Sequence, residues 1–213
     1  MLFRFCHVNC VYVGCRAARR TGVKRGENAV VFGCGTIGIA SVISLKYFGC
    51  NKVMICDFSD FRLGIAKQLG FETCNTSSED FVKKAGELFG LAHGLNGEIL
   101  PYADIYIDAA GANSIFEIFM KYGKIGSRIV MVAVNNQIRD LDLLHLTYAQ
   151  KAVIGSRGYM PEDVCDVMEI MKSGRWDTEK IITHEFPLCS LPETIKKASD
   201  TENAFNVVIN FDM

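Results

Sequence analysis

A glycine-rich loop at residues 33–38, with the sequence GCGTIG, has the G-x-G-x-x-G spacing of a turn that binds dinucleotide phosphates. The apolar run before it predicts a short buried strand, and the apolar segment after it predicts a long helix. In such a turn Gly33 permits the tight reversal, Gly35 lets a pyrophosphate approach the backbone, and Gly38 lets helix and strand pack closely. The positive end of the helix then faces the phosphates.

A second predicted strand, 52–56, ends at Asp57, which follows Gly38 by about 20 residues. A carboxylate at this position can accept hydrogen bonds from both hydroxyls of an adenosine ribose, and it would repel the 2′-phosphate of NADP. The series of strand, loop, helix, strand and acid therefore predicts NAD as the cofactor. The alternative is a glycine loop that serves only the packing of the chain itself.

The elements around this loop alternate between strand and helix, which favours a parallel sheet with helices on both faces. The predicted strands are 28–32, 52–57, 72–75, 104–108, 128–134 and 152–155. The predicted helices are 36–49, 60–69, 79–90, 113–122, 141–150 and 161–173. We therefore expect an α/β fold with a doubly wound six-stranded parallel sheet, the Rossmann fold, in strand order 3-2-1-4-5-6.

The C-terminal tail does not continue this alternation. Two strand-like runs, 181–186 and 205–210, surround a short predicted helix at 190–199, and we expect them to pack outside the nucleotide-binding sheet. The glycine-rich stretch 90–97 predicts a loop. The chain is accordingly divided into an N-terminal stub with a helix (1–25), a dinucleotide-binding domain (26–160) and a C-terminal helix with a return segment (161–213).

Composition indicates a globular protein, since 49% of the residues are hydrophobic and 22% are charged. The net charge of −1 gives no reason to expect a nucleic acid or an anionic membrane as partner, and no apolar run has the length of a membrane span. Residues 1–26 are basic and contain no acid. An organelle transit peptide is one interpretation, but we prefer a surface helix at 13–21 with its arginines facing solvent.

The nine cysteines include no C-x-x-C pair, and their odd number fits the reducing cytoplasm. Several lie in predicted strands or apolar helices, where a thiol packs as a small hydrophobic group. Cys6, Cys10 and Cys15 with His7 could form a metal cluster, but their spacing matches no known zinc motif. Buried thiols are the preferred interpretation.

Six segments together carry a resemblance to a known family. They are GENAVVFGCGTIG (26–38), DFSDFR (57–62), AKQLG (66–70), DIYIDAAG (104–111), IGSRGY (154–159) and ITHEFPL (182–188). In this order they resemble the medium-chain dehydrogenase/reductase family, in its zinc-dependent alcohol dehydrogenase type. The sorbitol and threonine dehydrogenase branch is the most similar.

The resemblance implies a set of cofactor-binding residues in this sequence. Gly33, Gly35, Thr36, Ile37 and Gly38 would line the pyrophosphate, Asp57 would hold the adenosine ribose and Arg62 would lie beside the adenine. Ala109, Ala110 and Gly111 would line the cofactor cleft, and Val132, Ala133, Val134, Gly155, Ser156 and Arg157 would flank the nicotinamide. The family further implies hydride transfer between a small alcohol or polyol and NAD, and pairing of copies through strand 152–155.

In this family a catalytic domain precedes the nucleotide-binding domain and supplies the zinc ligands and a proton relay. Most of that domain is absent from this sequence, and the glutamate ligand of the polyol branch falls at Asn9, whose amide is a poor zinc ligand. No catalytic residue and no metal ligand is therefore assigned. Two alternatives to the dehydrogenase remain: a non-catalytic NAD-binding module or truncated gene product, and an interaction protein that has lost the cofactor.

The other polar residues favour structural roles. His7, His93, His145 and His184 form no spaced set with other ligands, although His145 lies on a predicted helix near the nicotinamide end. Glu162 and Asp163 are expected to be solvated acids at a helix start. Ser59 and Asn113 are expected to be N-caps.

Overall fold

The computed structural model describes residues 8–138 and 140–211. Its helices are α1 (Val8–Arg20), α2 (Thr36–Tyr47), α3 (Asp60–Gln68), α4 (Phe81–Phe89), α5 (Asn113–Tyr122), α6 (Leu143–Tyr148), α7 (Pro161–Lys172) and α8 (Leu191–Ala198). Its strands are β1 (Asn28–Phe32), β2 (Lys52–Asp57), β3 (Glu72–Asn75), β4 (Leu91–His93), β5 (Ile99–Pro101), β6 (Ile105–Asp108), β7 (Arg128–Met131), β8 (Ala152–Gly155), β9 (Ile182–Pro187) and β10 (Asn206–Asn210).

The main sheet is six-stranded and parallel, in the order β3-β2-β1-β6-β7-β8. This confirms the expected doubly wound fold, because the six strands stand in the 3-2-1-4-5-6 order of their sequence. The order reverses between β1 and β6, where Phe32 lies opposite Asp108. Ligands of such sheets bind beyond the carboxyl ends of the strands at this reversal, so the fold places the glycine loop at the switch point.

Two apolar cores, one on each face of the sheet, explain why these segments fold together. Alternate residues of β1 divide between them: Val31 packs with α1, α2, α3 and α7, whereas Val30 packs with α4 and α5. All five residues of β1 are buried, as expected for a central parallel strand covered by helices on both sides. Helix α2 is buried from Gly38 to Leu45, which accounts for its lack of a polar face.

Helix α1 begins earlier than predicted, and the expected exposure of its arginines holds for Arg20 but is wrong for Arg16 and Arg19, which are partly buried in ion pairs. Arg19 donates through Nε to the carboxylate of Asp163 at 2.7 Å and also contacts Asp166, while Arg16 pairs with Glu162 at 3.3 Å. The expectation that Asp163 is a solvated acid is also wrong, since its side chain is completely buried. These ion pairs connect α1 to α7, which pack against each other.

Two segments differ in detail from the sequence prediction. The stretch predicted as a loop at 90–97 contains β4, which pairs antiparallel with β5. In the tail, β9 and β10 form a separate parallel pair outside the main sheet, as expected. Ser59 caps α3 as predicted, but the N-cap of α5 is Ala112 rather than Asn113.

Among the described residues, no helix combines the length and the apolar character needed to cross a membrane. The division of the chain at residues 25 and 160 stays a prediction.

Candidate functional site

The glycine loop leaves β1 at a sharp turn that only glycine accommodates. Gly33 has a φ of +99°, in the left-handed region, and its N–H donates to the carbonyl of Cys56 at 2.8 Å. A Cβ on Gly33 would lie 2.9 Å from the backbone of Ala109 and Ala110. The loop after β1 therefore packs directly against the loop after β6, at the point where the strand order reverses.

Gly38 and Gly35 fulfil the two other roles expected from the spacing. A Cβ on Gly38 would lie 1.8 Å from the carbonyl oxygen of Gly33, so the first turn of α2 can approach the loop only without a side chain. A Cβ on Gly35 would meet no described atom within 4 Å. Gly35 is thus not required by packing, and its missing side chain leaves open space directly at the start of α2, where a phosphate would approach the backbone.

The start of α2 has the chemistry of an anion site. Its N-cap is Gly35, and no side chain among the described residues caps the free N–H groups of the first turn. Thr36 donates its hydroxyl hydrogen to the side-chain oxygen of Asn206 at 2.8 Å. The Asn206 amide nitrogen is buried and has no hydrogen-bond partner in the described residues. The uncapped N–H groups of the first turn, next to the open space at Gly35, fit a pyrophosphate.

Asn206 was not found by sequence reasoning. It lies on β10, far along the chain from the glycine loop, and only the packing of the tail brings it to Thr36. The available signal was a polar residue at the start of the apolar run 205–209, a position where a side-chain amide needs a partner.

Asp57 holds the glycine loop as well as standing in position for a ribose. One carboxylate oxygen accepts from the N–H of Cys34 at 2.6 Å, and the other accepts from the N–H groups of Phe58 and Ser59 at 2.8 and 2.9 Å. A carboxylate has about four acceptor positions, so three are used by the backbone. One remains for a ribose hydroxyl without any rearrangement of the loop.

Arg62 connects the adenosine side of the site to the tail. Its guanidinium donates to the carbonyl of Ala204 at 3.3 Å and lies 5.7 Å from the ring centre of Phe205. Ser59 donates to the carbonyl of Glu202 at 3.3 Å. The tail segment 202–206 therefore lies along the edge of the site from α3 to the start of α2.

Ala109, Ala110 and Gly111 form the second wall of the cleft. The N–H groups of Ala110 and Gly111 donate to the carboxylate of Asp108 at 3.0 and 2.7 Å. Gly111 has a φ of +77°, and a Cβ there would lie 3.3 Å from the side chain of Ala133. The buried acid thus fixes the loop after β6 in the same way that Asp57 fixes the loop after β1.

The residues expected beside the nicotinamide follow β7 and β8. The N–H groups of Val132 and Ala133 donate to the carbonyl of Asp108 at 3.1 and 3.0 Å, and Val134 is exposed. Ser156 donates its N–H to the carbonyl of Met131 at 3.0 Å, and Arg157 follows it. The other member of this group is Gly155, which lies opposite Met131 in the sheet. All the predicted positions therefore lie along one edge of the sheet, while binding at them stays a prediction.

Comparison with known proteins defines the family. The sequence model described as "Zinc-binding dehydrogenase" matches residues 36–173, which is more than half of the chain. The chain belongs to the zinc-binding dehydrogenase family. Sorbitol dehydrogenase 1 of Saccharomyces cerevisiae is 27% identical over 175 residues, covering 82% of this chain and 48% of that protein. L-idonate 5-dehydrogenase of Vitis vinifera is 23% identical over 204 residues, covering 93% of this chain and 53% of that protein.

Solved structures of zinc-binding dehydrogenases and related enzymes share the fold. The 2R,3R-butanediol dehydrogenase of Bacillus subtilis has a TM-score of 0.80 at 22% identity, covering 95% of this chain and 56% of that one. An alcohol dehydrogenase (rspB) of Escherichia coli, solved with NADH, has a TM-score of 0.79 at 23% identity, covering 96% and 58%. This chain spans about half the length of the curated relatives it matches.

The described part of this zinc-binding dehydrogenase chain does not assemble a zinc site. No three His, Cys, Asp or Glu side chains within it converge to hold a metal ion. The side-chain oxygen of Asn9, at the position where a glutamate ligand was expected, accepts from the Tyr159 hydroxyl at 3.1 Å. Cys6 and His7 of the candidate cluster lie outside the described residues. The residues from 8 to 138 and from 140 to 211 do not fit the metal, so no chemical step is derived through it.

The location predicted for His145 in this zinc-binding dehydrogenase is wrong. His145 faces away from the cofactor edge, with its Nε2 3.2 Å from the ammonium of Lys151. Lys151 also donates to the carbonyls of Phe119 and Met120 at the end of α5. Burial lowers the pKa of Lys151 to about 8. Helix α6 runs from the carboxyl end of β7 back to the start of β8, which carries His145 to the opposite edge of the sheet.

Proposed function

We propose that this chain is the coenzyme-binding part of an NAD-dependent alcohol or polyol dehydrogenase. The observation that carries the proposal is the start of α2, where open space at Gly35 adjoins helix N–H groups that no side chain among the described residues caps. Membership of the zinc-binding dehydrogenase family supports it. So do relatives named for sorbitol, idonate and butanediol, which are small alcohols and polyols or their acids.

In this proposal each wall of the cleft has a defined task. The N–H groups of α2, with Thr36 and Ile37 in its first turn, hold the pyrophosphate, and Asp57 accepts from the adenosine ribose. Arg62 covers the adenine. The loops at 109–111, 132–134 and 155–157 orient the nicotinamide and exclude water from one of its faces. When bound, NAD supplies the hydride acceptor for oxidation of an alcohol carbon.

Preference for NAD over NADP follows from the charge and contacts of Asp57. Its carboxylate is held beside the glycine loop by three backbone hydrogen bonds, so it cannot easily turn away from a 2′-phosphate. Arg62, the nearest arginine along the chain, is already engaged with Ala204 and Phe205. A free ribose diol is therefore the better partner for this acid.

The second candidate is an NAD-binding module without catalysis. It is favoured by one observation: the described residues assemble no group of three His, Cys, Asp or Glu side chains that could hold a metal ion. Both candidates require dinucleotide binding, and they differ in turnover. NADH formation by the 213-residue chain with sorbitol, threonine or simple alcohols would favour the enzyme, and binding without turnover would favour the module.

Two finer properties belong to the same proposal. We place the protein in the cytoplasm, because the cysteines from Cys10 to Cys189 are free thiols in the described residues. We also propose a homo-oligomer that pairs through β8, since this edge strand carries exposed apolar side chains such as Val153.

Calorimetric titration with NAD and NADP tests the proposal directly. Gly35→Val adds a side chain where no described atom lies within 4 Å, so it should leave the free energy of unfolding nearly unchanged. It should still weaken NAD binding by about 100-fold, because the pyrophosphate loses access to the backbone. Gly64→Ala, also in open space but within α3, is the matched control. NAD binding that survives Gly35→Val would contradict the assigned site.

A further inference from the structure

Two cysteines face each other across neighbouring strands beneath the adenosine side of the site. Cys56 on β2 and Cys74 on β3 are register partners in the parallel ladder, and their side chains are buried. Register partners of a parallel pair point to the same face, and neighbouring strands lie about 4.8 Å apart. That spacing falls within the range of about 4.4–6.8 Å between Cα atoms that a disulfide requires.

The two thiols already interact with each other. The side chain of Cys56 beside Cys74 lowers the pKa of Cys74 below its ordinary value. Burial, together with the same bond, raises the pKa of Cys56. Cys74 is therefore the more acidic of the two thiols, and Cys56 is the one that holds its proton more tightly. This division of roles is what a dithiol needs for oxidation in two steps.

We propose that Cys56 and Cys74 form a redox-active dithiol that hydrogen peroxide converts to a disulfide. The Cys74 thiolate attacks one peroxide oxygen, the O–O bond breaks, and a sulfenic acid and hydroxide are formed. Cys56 sulfur then attacks the sulfenic sulfur, its proton leaves with the hydroxyl group as water, and the S–S bond forms. Two electrons pass from the sulfurs to the peroxide, which is reduced to water.

Access to this pair is provided by the edge of the sheet. Strand β3 has four residues and pairs only with β2 among the described strands, so it can open locally without unfolding the sheet. The other buried cysteines do not share this arrangement. Cys34 donates to the carbonyl of Arg62 and Cys50 donates to the carbonyl of Glu27, so both thiols are hydrogen-bonded to the backbone and not to a second cysteine.

Oxidation would reach the cofactor site through the next residue. Asp57 follows Cys56 directly and pairs with Asn75, which follows Cys74. Drawing the two sulfurs into a bond shifts the ends of both strands, and the Asp57 carboxylate shifts with them. We infer that the disulfide weakens NAD binding by about ten-fold, the loss expected for one charge-assisted hydrogen bond. This second step rests on the proposed function.

The test begins with the full chain, reduced and then exposed to one equivalent of hydrogen peroxide. Free thiols are blocked with iodoacetamide, and the digest is mapped by mass spectrometry. The expected result is a peptide pair linked through Cys56 and Cys74, lost on treatment with a dithiol reductant. The exposed Cys165 and Cys189 provide the internal reference for non-selective oxidation. Oxidation of these two with Cys56 and Cys74 still reduced would overturn the proposal.

A second measurement separates the dithiol from its effect on the cofactor. NAD binding is titrated for the reduced and oxidised chain and for Cys74→Ala treated in the same way. The oxidised chain should bind about ten-fold more weakly, and peroxide should leave the affinity of Cys74→Ala unchanged. A linked peptide with unchanged affinity would overturn the coupling to Asp57. If the reduced chain fails to bind NAD, the proposed function is wrong, whereas the linked peptide still decides the dithiol.

Discussion

The N–H of Cys34 donates a 2.6 Å hydrogen bond to the carboxylate of Asp57, so the acid at the end of β2 fixes the glycine loop that follows β1. The same carboxylate accepts from Phe58 and Ser59. Asp57 anchors the glycine loop and also lies where the ribose is expected. The expected pyrophosphate and ribose positions therefore depend on the same side chain. Changes at Asp57 should therefore affect both cofactor affinity and the order of the loop.

Asp57→Asn should weaken NAD binding by about ten-fold or more and narrow the difference between NAD and NADP. The amide keeps the shape of the side chain but loses the charge that strengthens hydrogen bonds from the ribose and repels a 2′-phosphate. Calorimetric titration of both dinucleotides measures the two effects. Asp177→Asn, at an exposed position in the tail, is the control and should leave both affinities unchanged. Equal or tighter NADP binding by the wild-type chain would contradict the NAD assignment.

Arg19→Met should be more destabilising than Asp163→Asn. Removing the arginine leaves Asp163 with a buried charge and the weaker 3.7 Å contact to Arg16, at a cost of about 3–5 kcal/mol. Asp163→Asn keeps a hydrogen-bonding side chain, and the partly exposed Arg19 retains Asp166 as a partner. Urea unfolding gives both free energies.

The surface pair of Lys172 and Glu169 is the control for these charge changes, and Lys172→Met should leave the free energy of unfolding nearly unchanged. Equal effects of Arg19→Met and Lys172→Met would show that the contact between α1 and α7 does not depend on the buried acid.

Stability should rise with pH through the titration of Lys151. Its folded pKa of about 8 lies below the ordinary value of 10.5, so between these values the unfolded chain binds a proton that the folded chain does not. The free energy of unfolding should therefore increase between pH 8 and 10.5, by about 2–3 kcal/mol for this group. Comparison with Lys151→Met by urea unfolding isolates the contribution, since every other group titrates in both proteins. If the free energies of unfolding of the wild-type chain and Lys151→Met changed in parallel with pH, the contribution assigned to Lys151 would be wrong.

Val153→Lys should convert an oligomer of this chain into monomers. Val153 is 42% exposed on the edge strand β8, and a charge there interrupts the edge-to-edge pairing of apolar strands. Sedimentation equilibrium at micromolar concentration measures the effect. Ile195→Lys places the same charge on an exposed apolar position of α8 and should leave the association unchanged. A wild-type chain that sediments as a monomer would count against pairing through β8.

Local patterns were sufficient for the sheet and for the glycine loop. The alternation of strand and helix signals predicted all six parallel strands, and the position of Asp57 after the second strand predicts the adenosine side. These features depend on residues that are close in the sequence, where backbone geometry and side-chain period act directly. The same reasoning misplaced Asp163 and His145, because burial and orientation depend on which elements meet in the fold.

The sequence by itself therefore determined the fold class, the family and the position of the glycine loop. The tertiary structure alone decided that Asn206 reaches Thr36 across 170 residues, that Arg19 pairs with Asp163 across 144, and that Cys56 faces Cys74. Each of these contacts joins two elements of the chain, and no sequence periodicity or spacing rule relates the positions of the two residues. They form because the folded sheet brings the elements together and because a buried polar group needs a partner.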